Sequence, residues 1–132
     1  MTKPTMQFLI VDDDKTNNFL TRMAIKKSLE DVEIMEFVVP ELALEYIETE
    51  FMNQPNKEKT TLFLDINMPT LTAWEFLEKY ETFAEPIKMQ FNIYILSSSI
   101  DLADIQRAKL NPLVIDFIEK PLNKTILANI FA

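Results

Sequence analysis

Four groups of polar residues in the sequence could take part in chemistry. They are the run Asp12-Asp13-Asp14, Asp65, the run Ser97-Ser98-Ser99 and Lys120. Each group directly follows a short apolar run that is typical of a buried strand. Because ligands bind beyond the carboxyl ends of parallel strands, we expect the four groups to meet at one edge of a sheet. The predicted site contains at least three carboxylates, one hydroxyl and one ammonium.

This combination of side chains is suited to phosphoryl chemistry. Crowded carboxylates raise one another's pKa, and a divalent cation removes that conflict. Mg²⁺ prefers oxygen ligands, typically one or two carboxylates with water and a phosphate oxygen. A lysine adds a positive charge for the phosphoryl group, and an aspartate can act as a nucleophile that carries an acyl phosphate. Each group alone could be a helix cap or a solvated charge, but their joint placement indicates Mg²⁺-dependent phosphoryl transfer to an aspartate.

The composition excludes several other kinds of site. The 132 residues include no Cys, no His and no Gly. Catalytic pairs of the Ser-His and Cys-His types are therefore absent, as are Cys/His zinc sites and disulfides. Phosphate-binding loops built from glycines are also excluded. Any phosphate or metal must be bound by Asp, Glu, Lys, Ser or Thr.

Strand and helix patterns alternate along the chain. Short β-rich runs cover residues 8–11, 62–64, 93–96 and 113–118, and residues 33–39 indicate an edge strand. Helical patterns cover residues 17–30, 41–51, 74–83, 102–110 and 123–131, and the first of these places Phe19, Leu20, Met23 and Ala24 on one side. Such alternation predicts an α/β protein with a parallel sheet between helices. The polar residues 52–60 indicate an exposed loop.

The negative charge is concentrated in one segment. The chain has 21 acidic and 13 basic residues, and residues 28–56 hold eight of the acids with no Lys or Arg. A solvated face is the favoured interpretation of this segment, and a charge-selective docking surface is the alternative. The acidic balance disfavours binding to nucleic acid or to anionic membranes. Without a secretory signal or a long apolar run, the chain is expected to be cytoplasmic.

The motifs FLIVDDD, LFLDINMP, IYILSS and DFIEKP resemble the receiver domain of two-component response regulators. The resemblance implies a flavodoxin-like (βα)5 fold, doubly wound, with strand order 2-1-3-4-5. It implies one domain over residues 6–132 after a tail of residues 1–5. It also implies a stand-alone receiver without an output domain, similar to single-domain chemotaxis or phosphorelay regulators.

The resemblance also implies roles for the acidic residues. Asp65 matches the phosphoacceptor, so the protein would catalyse its own phosphorylation and dephosphorylation without turning over a separate substrate. Asp13 matches the principal Mg²⁺ ligand, together with Asp65 and the backbone carbonyl of Asn67, while Asp12 would contribute through water.

A second group of residues matches the family's switch. Ser97 and Lys120 would contact the phosphoryl oxygens after modification, and the bond between Lys120 and Pro121 would be cis. Phe117 matches an aromatic residue that swings inward when the hydroxyl moves. The face that changes would include Leu102, Ile105 and Phe117.

The resemblance implies protein partners as well. The phosphodonor would be a phosphohistidine on a sensor histidine kinase or a histidine phosphotransfer protein, and a downstream protein target would recognise the switched face. Neither nucleic acid binding nor membrane insertion is expected. The chain would be a monomer or a weak dimer.

Two turns depart from the family pattern because glycine is absent. Ala73 occupies one usual glycine position, and Thr72 to Glu75 fits a capping box that would start the following helix. Residues 98–101 carry a similar signal. Asn111-Pro112 replaces a second glycine, and Asn tolerates the left-handed conformation there.

Two other functions are compatible with part of the sequence. Asp12, Asp14 and Thr16 fit the DxDxT motif of haloacid-dehalogenase-like phosphatases, with Asp12 as nucleophile. That class needs an acidic pair after its lysine, whereas no acid follows Lys120, and Asp65 would have no role. A receiver-like module that binds partners without phosphorylation is the third possibility, against which the complete set of site residues argues.

Overall fold

Five parallel strands form one sheet in the computed structural model, which describes residues 5–52, 59–98 and 100–131. The strands are β1 (Met6–Val11), β2 (Val32–Phe37), β3 (Thr60–Asp65), β4 (Phe91–Ser97) and β5 (Val114–Glu119). Their order in the sheet is β2-β1-β3-β4-β5, and all four pairings are parallel. The α/β class and the strand order 2-1-3-4-5 are thereby confirmed.

Helices connect the strands and cover the sheet. Within the described ranges they are α1 (Lys15–Ser28), α2 (Pro40–Glu50), α3 (Ala73–Glu81), α4 (Glu85–Lys88), α5 (Leu102–Leu110) and α6 (Lys124–Phe131). The predicted bounds differ from these by no more than two residues at any end. The single-turn helix α4 was not predicted, because four residues containing a proline carry no helical periodicity.

Side chains of the central strands alternate between two apolar layers. Leu9 and Val11 of β1 point to the side covered by α2, α3 and α5. Phe8 and Ile10 point to the opposite side, which α1 and α6 cover. Because both faces of a parallel sheet are buried, the middle residues of the central strands are apolar on both faces. This arrangement fixes the carboxyl ends of the strands at one edge.

The buried stripe of α1 is not the predicted apolar one. Asn18, Thr21 and Ile25 are buried, whereas Phe19 and Leu20 are about half exposed. Asn18 can be buried because its Nδ2 donates a hydrogen bond of 2.9 Å to the carbonyl of Asp12. The start of α1 is therefore attached to the end of β1 by a polar contact.

The capping box at the start of α3 is confirmed. The amide of Glu75 donates to Thr72 Oγ1 at 3.2 Å, and the amide of Thr72 donates to Glu75 Oε1 at 2.9 Å. Ala73, at a usual glycine position, is fully buried in the core. The start of α5 differs from the prediction, since its cap is Asp101, which accepts from the amide of Ala103 at 2.9 Å.

Asn111 does not adopt the left-handed conformation that its residue type tolerates. Asn111 has φ −89° and ψ 115°, and its side-chain oxygen accepts a hydrogen bond from the amide of Leu113 at 2.9 Å. This side-chain turn satisfies the backbone without a positive φ. Among the described residues a positive φ occurs at Asp31, where φ is 54°.

The predicted loop over residues 52–60 is partly corrected. Thr60 belongs to β3 and is buried. Its amide donates to the carbonyl of Gln90 at 2.7 Å. Residues 53–58 lie outside the described part, as do residues 1–4 of the predicted tail. Among the described helices, none combines the length and the apolar character needed to cross a bilayer.

Candidate functional site

Three carboxylates meet where β1 and β3 end. Asp12 and Asp13 directly follow β1, and Asp65 is the last residue of β3. One oxygen from each side chain lies within 4.8 Å of the others. The sequence predicted this convergence, because neighbouring parallel strands deliver their carboxyl ends to one edge.

Lys120, which directly follows β5, lies close to two of these carboxylates. Its amide donates to the carbonyl of Ser97 at 2.7 Å, which holds the end of β5 beside the end of β4. Its Nζ lies 2.6 Å from Asp12 Oδ2 and 3.1 Å from Asp65 Oδ1. The bond to Pro121 is cis, as the resemblance implied. The ammonium therefore bridges the two carboxylates that the strands bring together.

Asp12 and Asp65 have different hydrogen-bonding environments. Asp12 accepts from the amide of Asp14 through Oδ1 and from Lys120 through Oδ2, and its side chain is only 4% exposed. The side chain of Asp65 is 13% exposed, and its Oδ1 accepts from Lys120. Asp65 is therefore the more accessible of the two carboxylates, whereas both oxygens of Asp12 are already engaged.

Asp14 has a structural task. Its carboxylate accepts from the amides of Thr16 at 2.8 Å and Asn17 at 3.3 Å, which caps α1. A capping carboxylate at a helix start is stabilised by the free amides there. The third residue of the acidic run thus orients α1 and is not a member of the three-carboxylate group.

Burial and neighbouring charges tune the ionisable groups of the site. Burial raises the pKa of Asp65 to about 6; the Lys120 ammonium opposes this shift, and the carboxylates of Asp12 and Asp13 add to it. For Lys120, burial acts to lower the pKa, but the hydrogen bond to Asp12 and the charge of Asp65 raise it overall. Lys120 therefore stays protonated at neutral pH, and Asp65 is mainly ionised.

The donor set fits a hard divalent cation. Three carboxylates face one ammonium, so the cluster keeps a negative charge when Asp65 is ionised. Oxygen donors and surplus negative charge are what Mg²⁺ requires. Asp13 is exposed and not tied to Lys120, which leaves its oxygens accessible to an ion.

The remaining predicted residues differ in their exposure. Ser97 is buried at 3% exposure, and Asn67 is exposed just beyond β3. Phe117 is half-buried against the layer that holds α2, α3 and α5. Leu102 is 76% exposed and Ile105 half-buried. Ser99 lies outside the described residues.

Asn18 was not identified from the sequence as a site residue. It is 1% exposed, and by donating to the carbonyl of Asp12 it positions the peptide from which the carboxylates project. Asn18 lies one turn into α1, beside the apolar Phe19 and Leu20. Those two residues led to the prediction that a different side of α1 is buried.

The comparisons with known proteins identify the family. The model of the response regulator receiver domain matches residues 8–132, so the chain belongs to this family. It is a receiver domain of two-component signalling, a switch that accepts a phosphoryl group. No curated protein sequence matches the chain.

Solved structures agree with this assignment. A response regulator receiver protein from Dyadobacter fermentans has a TM-score of 0.85 at 26% identity, covering 96% of this chain and 94% of its own. A two-component response regulator from Cytophaga hutchinsonii has a TM-score of 0.85 at 27% identity, covering 98% and 96%. The CheX-CheY-BeF3-Mg²⁺ complex from Borrelia burgdorferi contains a chain with a TM-score of 0.72 at 18% identity, covering 94% and 84%, a likeness of fold alone.

Proposed function

We propose that Asp65 accepts the phosphoryl group of a phosphohistidine, in a Mg²⁺-dependent reaction. One observation carries the proposal: the Asp65 carboxylate lies within 4.8 Å of those of Asp12 and Asp13, and 3.1 Å from the ammonium of Lys120. Its greater exposure relative to Asp12 gives a donor access.

The transfer is a substitution at phosphorus. A carboxylate oxygen of Asp65 forms a bond to phosphorus, and the bond between phosphorus and the donor's imidazole nitrogen breaks. The leaving nitrogen keeps the electron pair and takes up a proton. Because the pKa of Asp65 is about 6, most of the side chain is in the nucleophilic carboxylate form at neutral pH.

Asp13, Asp65 and the backbone carbonyl of Asn67 would hold Mg²⁺, with Asp12 acting through water. When bound, the cation would neutralise the carboxylates and the incoming phosphoryl oxygens. The indirect role of Asp12 is supported by its two oxygens, which already accept hydrogen bonds from Asp14 and Lys120.

Lys120, Ser97 and Phe117 would convert phosphorylation into a change of shape. The Lys120 ammonium would pair with phosphoryl oxygens in place of its present carboxylate partners. The Ser97 hydroxyl would hydrogen-bond the phosphoryl group, and Phe117 would follow it inward. Phosphorylation would then shift an existing equilibrium between two packings of the surface formed by α5, β5 and α6.

The proposed partners follow from this cycle. A sensor histidine kinase or a histidine phosphotransfer protein supplies the phosphoryl group, since this chain has no histidine, and a downstream protein reads the changed surface. The Borrelia structure, in which CheY is in a complex with CheX, supports the expectation of a protein partner. We further propose a cytoplasmic monomer or weak dimer that catalyses its own phosphorylation and has no separate substrate.

Phosphate mapping separates this function from its rivals. The protein is incubated with Mg²⁺ and acetyl phosphate, and the labelled residue is identified by mass spectrometry. Label on Asp65 supports the receiver function. Label on Asp12 with continuous release of phosphate supports the phosphatase, which the closed environment of Asp12 disfavours. If no residue of the protein is labelled, the result supports the module that binds partners without phosphorylation.

A further inference from the structure

A second concave surface lies at the end of the sheet opposite Asp65. It is a cavity of about 430 Å³, bounded by the first halves of β1 and β2 and by the carboxyl end of α2. The side chains that define its character are Gln7, Glu33, Met35, Tyr46, Glu50 and Thr60. Gln7 lies five positions before Asp12, which is about 16 Å along an extended strand. The cavity is thus separate from the phosphorylation site.

Apolar side chains form one wall of the cavity. Met35 is 43% exposed. The ring of Tyr46 lies 5.4 Å from that of Phe37 and 6.0 Å from that of Phe51, which fixes its orientation. An exposed thioether beside a fixed aromatic ring is suited to a long aliphatic stem.

The opening of the cavity is acidic without compensation. Glu33 and Glu50 line it, and neither has an ion pair among the described residues. Burial raises the pKa of Tyr46, and the charges of Glu50 and then Glu33 raise it further. The last turn of α2 has no basic residue to offset the negative end of its dipole. The cavity therefore attracts a cation.

The outer edge of β2 is available for pairing. In the described sheet β2 is the terminal strand and bonds only to β1, so its other edge presents unpaired amides and carbonyls. Extended segments bind such edges by adding a strand. Glu33 on β2 would select a segment of opposite charge, because like charges across paired strands are destabilising, whereas Glu36 is already paired with Arg22 at 2.7 Å.

We propose that this cavity and the free edge of β2 bind an extended segment of a partner protein that carries lysine or arginine. The stem of the basic side chain lies against Met35 and Tyr46, and its charged head lies between Glu33 and Glu50. Because the phosphorylation site is at the other end of the strands, binding does not require phosphorylation. The acidic segment of residues 28–56 then has a recognition role beyond the phosphoryl switch.

Amide chemical shifts of ¹⁵N-labelled protein test the proposal. The probe is a synthetic peptide of alternating lysine and valine with uncharged ends. We expect it to shift the amides of β2 and of the last turn of α2. The double variant Glu33→Gln/Glu50→Gln should weaken binding about five- to tenfold, the effect of losing two exposed charge pairs. Acetyl phosphate should leave the wild-type affinity unchanged.

The matched control is Glu30→Gln/Glu48→Gln. It removes the same charge from the same acidic segment at two exposed residues outside the cavity, and we expect less than about a twofold loss. An equal loss in both double variants would mean general electrostatic attraction and would overturn the proposal. So would a peptide that shifts nothing at millimolar concentration, or that shifts only the amides around Asp65.

A cation of the chain itself is the competing occupant. Lys57 belongs to residues 53–58, outside the described part. If Lys57→Ala bound the peptide and the wild-type chain did not, the cavity would be filled from within, and the partner proposal would be wrong. Equal binding by the two chains supports a partner.

Discussion

The ammonium of Lys120 pairs with two of the three carboxylates, those of Asp12 and Asp65. Before phosphorylation it offsets the repulsion between Asp12 and Asp65. A buried ion pair contributes little net stability when complete, but removal of one partner leaves an uncompensated buried charge. The same contact that a phosphoryl group would later compete for therefore holds the site together.

We predict that Lys120→Ala lowers the free energy of unfolding by about 3 kcal/mol in the absence of Mg²⁺. Mg²⁺ should restore part of this loss, because a divalent ion can replace the missing positive charge. Urea denaturation with and without Mg²⁺ measures both effects.

The matched substitution is Lys88→Ala. Lys88 pairs with the exposed carboxylates of Glu81 and Glu85 and donates to the carbonyl of Glu81 at 3.2 Å, so its loss should be about 1 kcal/mol and independent of Mg²⁺. Equal losses in the two variants, or a Lys120→Ala loss that Mg²⁺ does not change, would show that Lys120 does not balance the carboxylates.

Phosphorylation of Lys120→Ala tests the switch separately. We predict that the variant still takes up phosphate on Asp65 but loses the accompanying change in the amide spectrum of α5 and β5. Normal spectral changes in the phosphorylated variant would remove Lys120 from the switch.

The sequence predicted where the site side chains lie but not which atoms they contact. Strand ends placed Asp12, Asp65 and Lys120 at one edge, because the positions depend only on strand periodicity and topology. Lys120 lies closer to Asp12 than to Asp65, and the amide of Asp14 donates to the other oxygen of Asp12. Both contacts depend on the geometry of the loops. Such geometry is decided by tertiary packing over fractions of an ångström.

Among the elements, α3 connects the site to the core. It begins eight positions after Asp65, beyond the loop that carries the exposed Asn67. The amide of Ala73 donates to the carbonyl of Ile66 at 2.9 Å, so the start of α3 closes this loop. The capping box at Thr72 therefore stabilises both the helix and the loop beside Asp65.

We predict that Thr72→Ala lowers the free energy of unfolding by about 1 kcal/mol, the typical value of a lost cap. The reference substitution is Thr49→Ala, which removes an exposed threonine inside α2 and should change stability by less than about 0.5 kcal/mol. Chemical denaturation of both variants measures the difference. Similar values for the two would mean that the box does not fix the start of α3.

Local sequence predicts some features of the helices and turns but not others. The box at Thr72 was predictable because its two residues interact with each other. Asn111 was not, since its amide side chain could satisfy the turn without the left-handed backbone that its residue type permits. The inward side of α1 also depended on a partner outside the helix, the carbonyl of Asp12.

For the whole molecule, the site is a product of topology. Asp12 and Lys120 are 108 positions apart in the chain and 2.6 Å apart in space. Alternating strand and helix patterns predicted the parallel sheet, and the resemblance supplied the strand order. The acidic cavity beside β2 was not predicted, because the position at which α2 ends relative to β2 is set by packing of the two layers.

Mg²⁺ should stabilise the whole domain if the acidic group binds it. A ligand present at 100 times its dissociation constant adds about 2.7 kcal/mol to the free energy of unfolding. We predict that a chelator removes this gain, and that Asp13→Asn reduces it while Asp14→Asn does not, because Asp14 caps α1. Thermal denaturation across a Mg²⁺ titration measures the gain; equal gains in both variants would contradict the assigned ligand.

The central claim is that Asp65 is the phosphoacceptor, and intact-mass measurement after treatment with acetyl phosphate and Mg²⁺ tests it most directly. The wild-type chain is compared with Asp65→Asn and with Asp14→Asn, which makes the same chemical change at the helix cap. We expect one added phosphoryl group on the wild-type and Asp14→Asn chains and none on the Asp65→Asn chain. A phosphoryl group on the Asp65→Asn chain, or its absence from the wild-type chain, would contradict it.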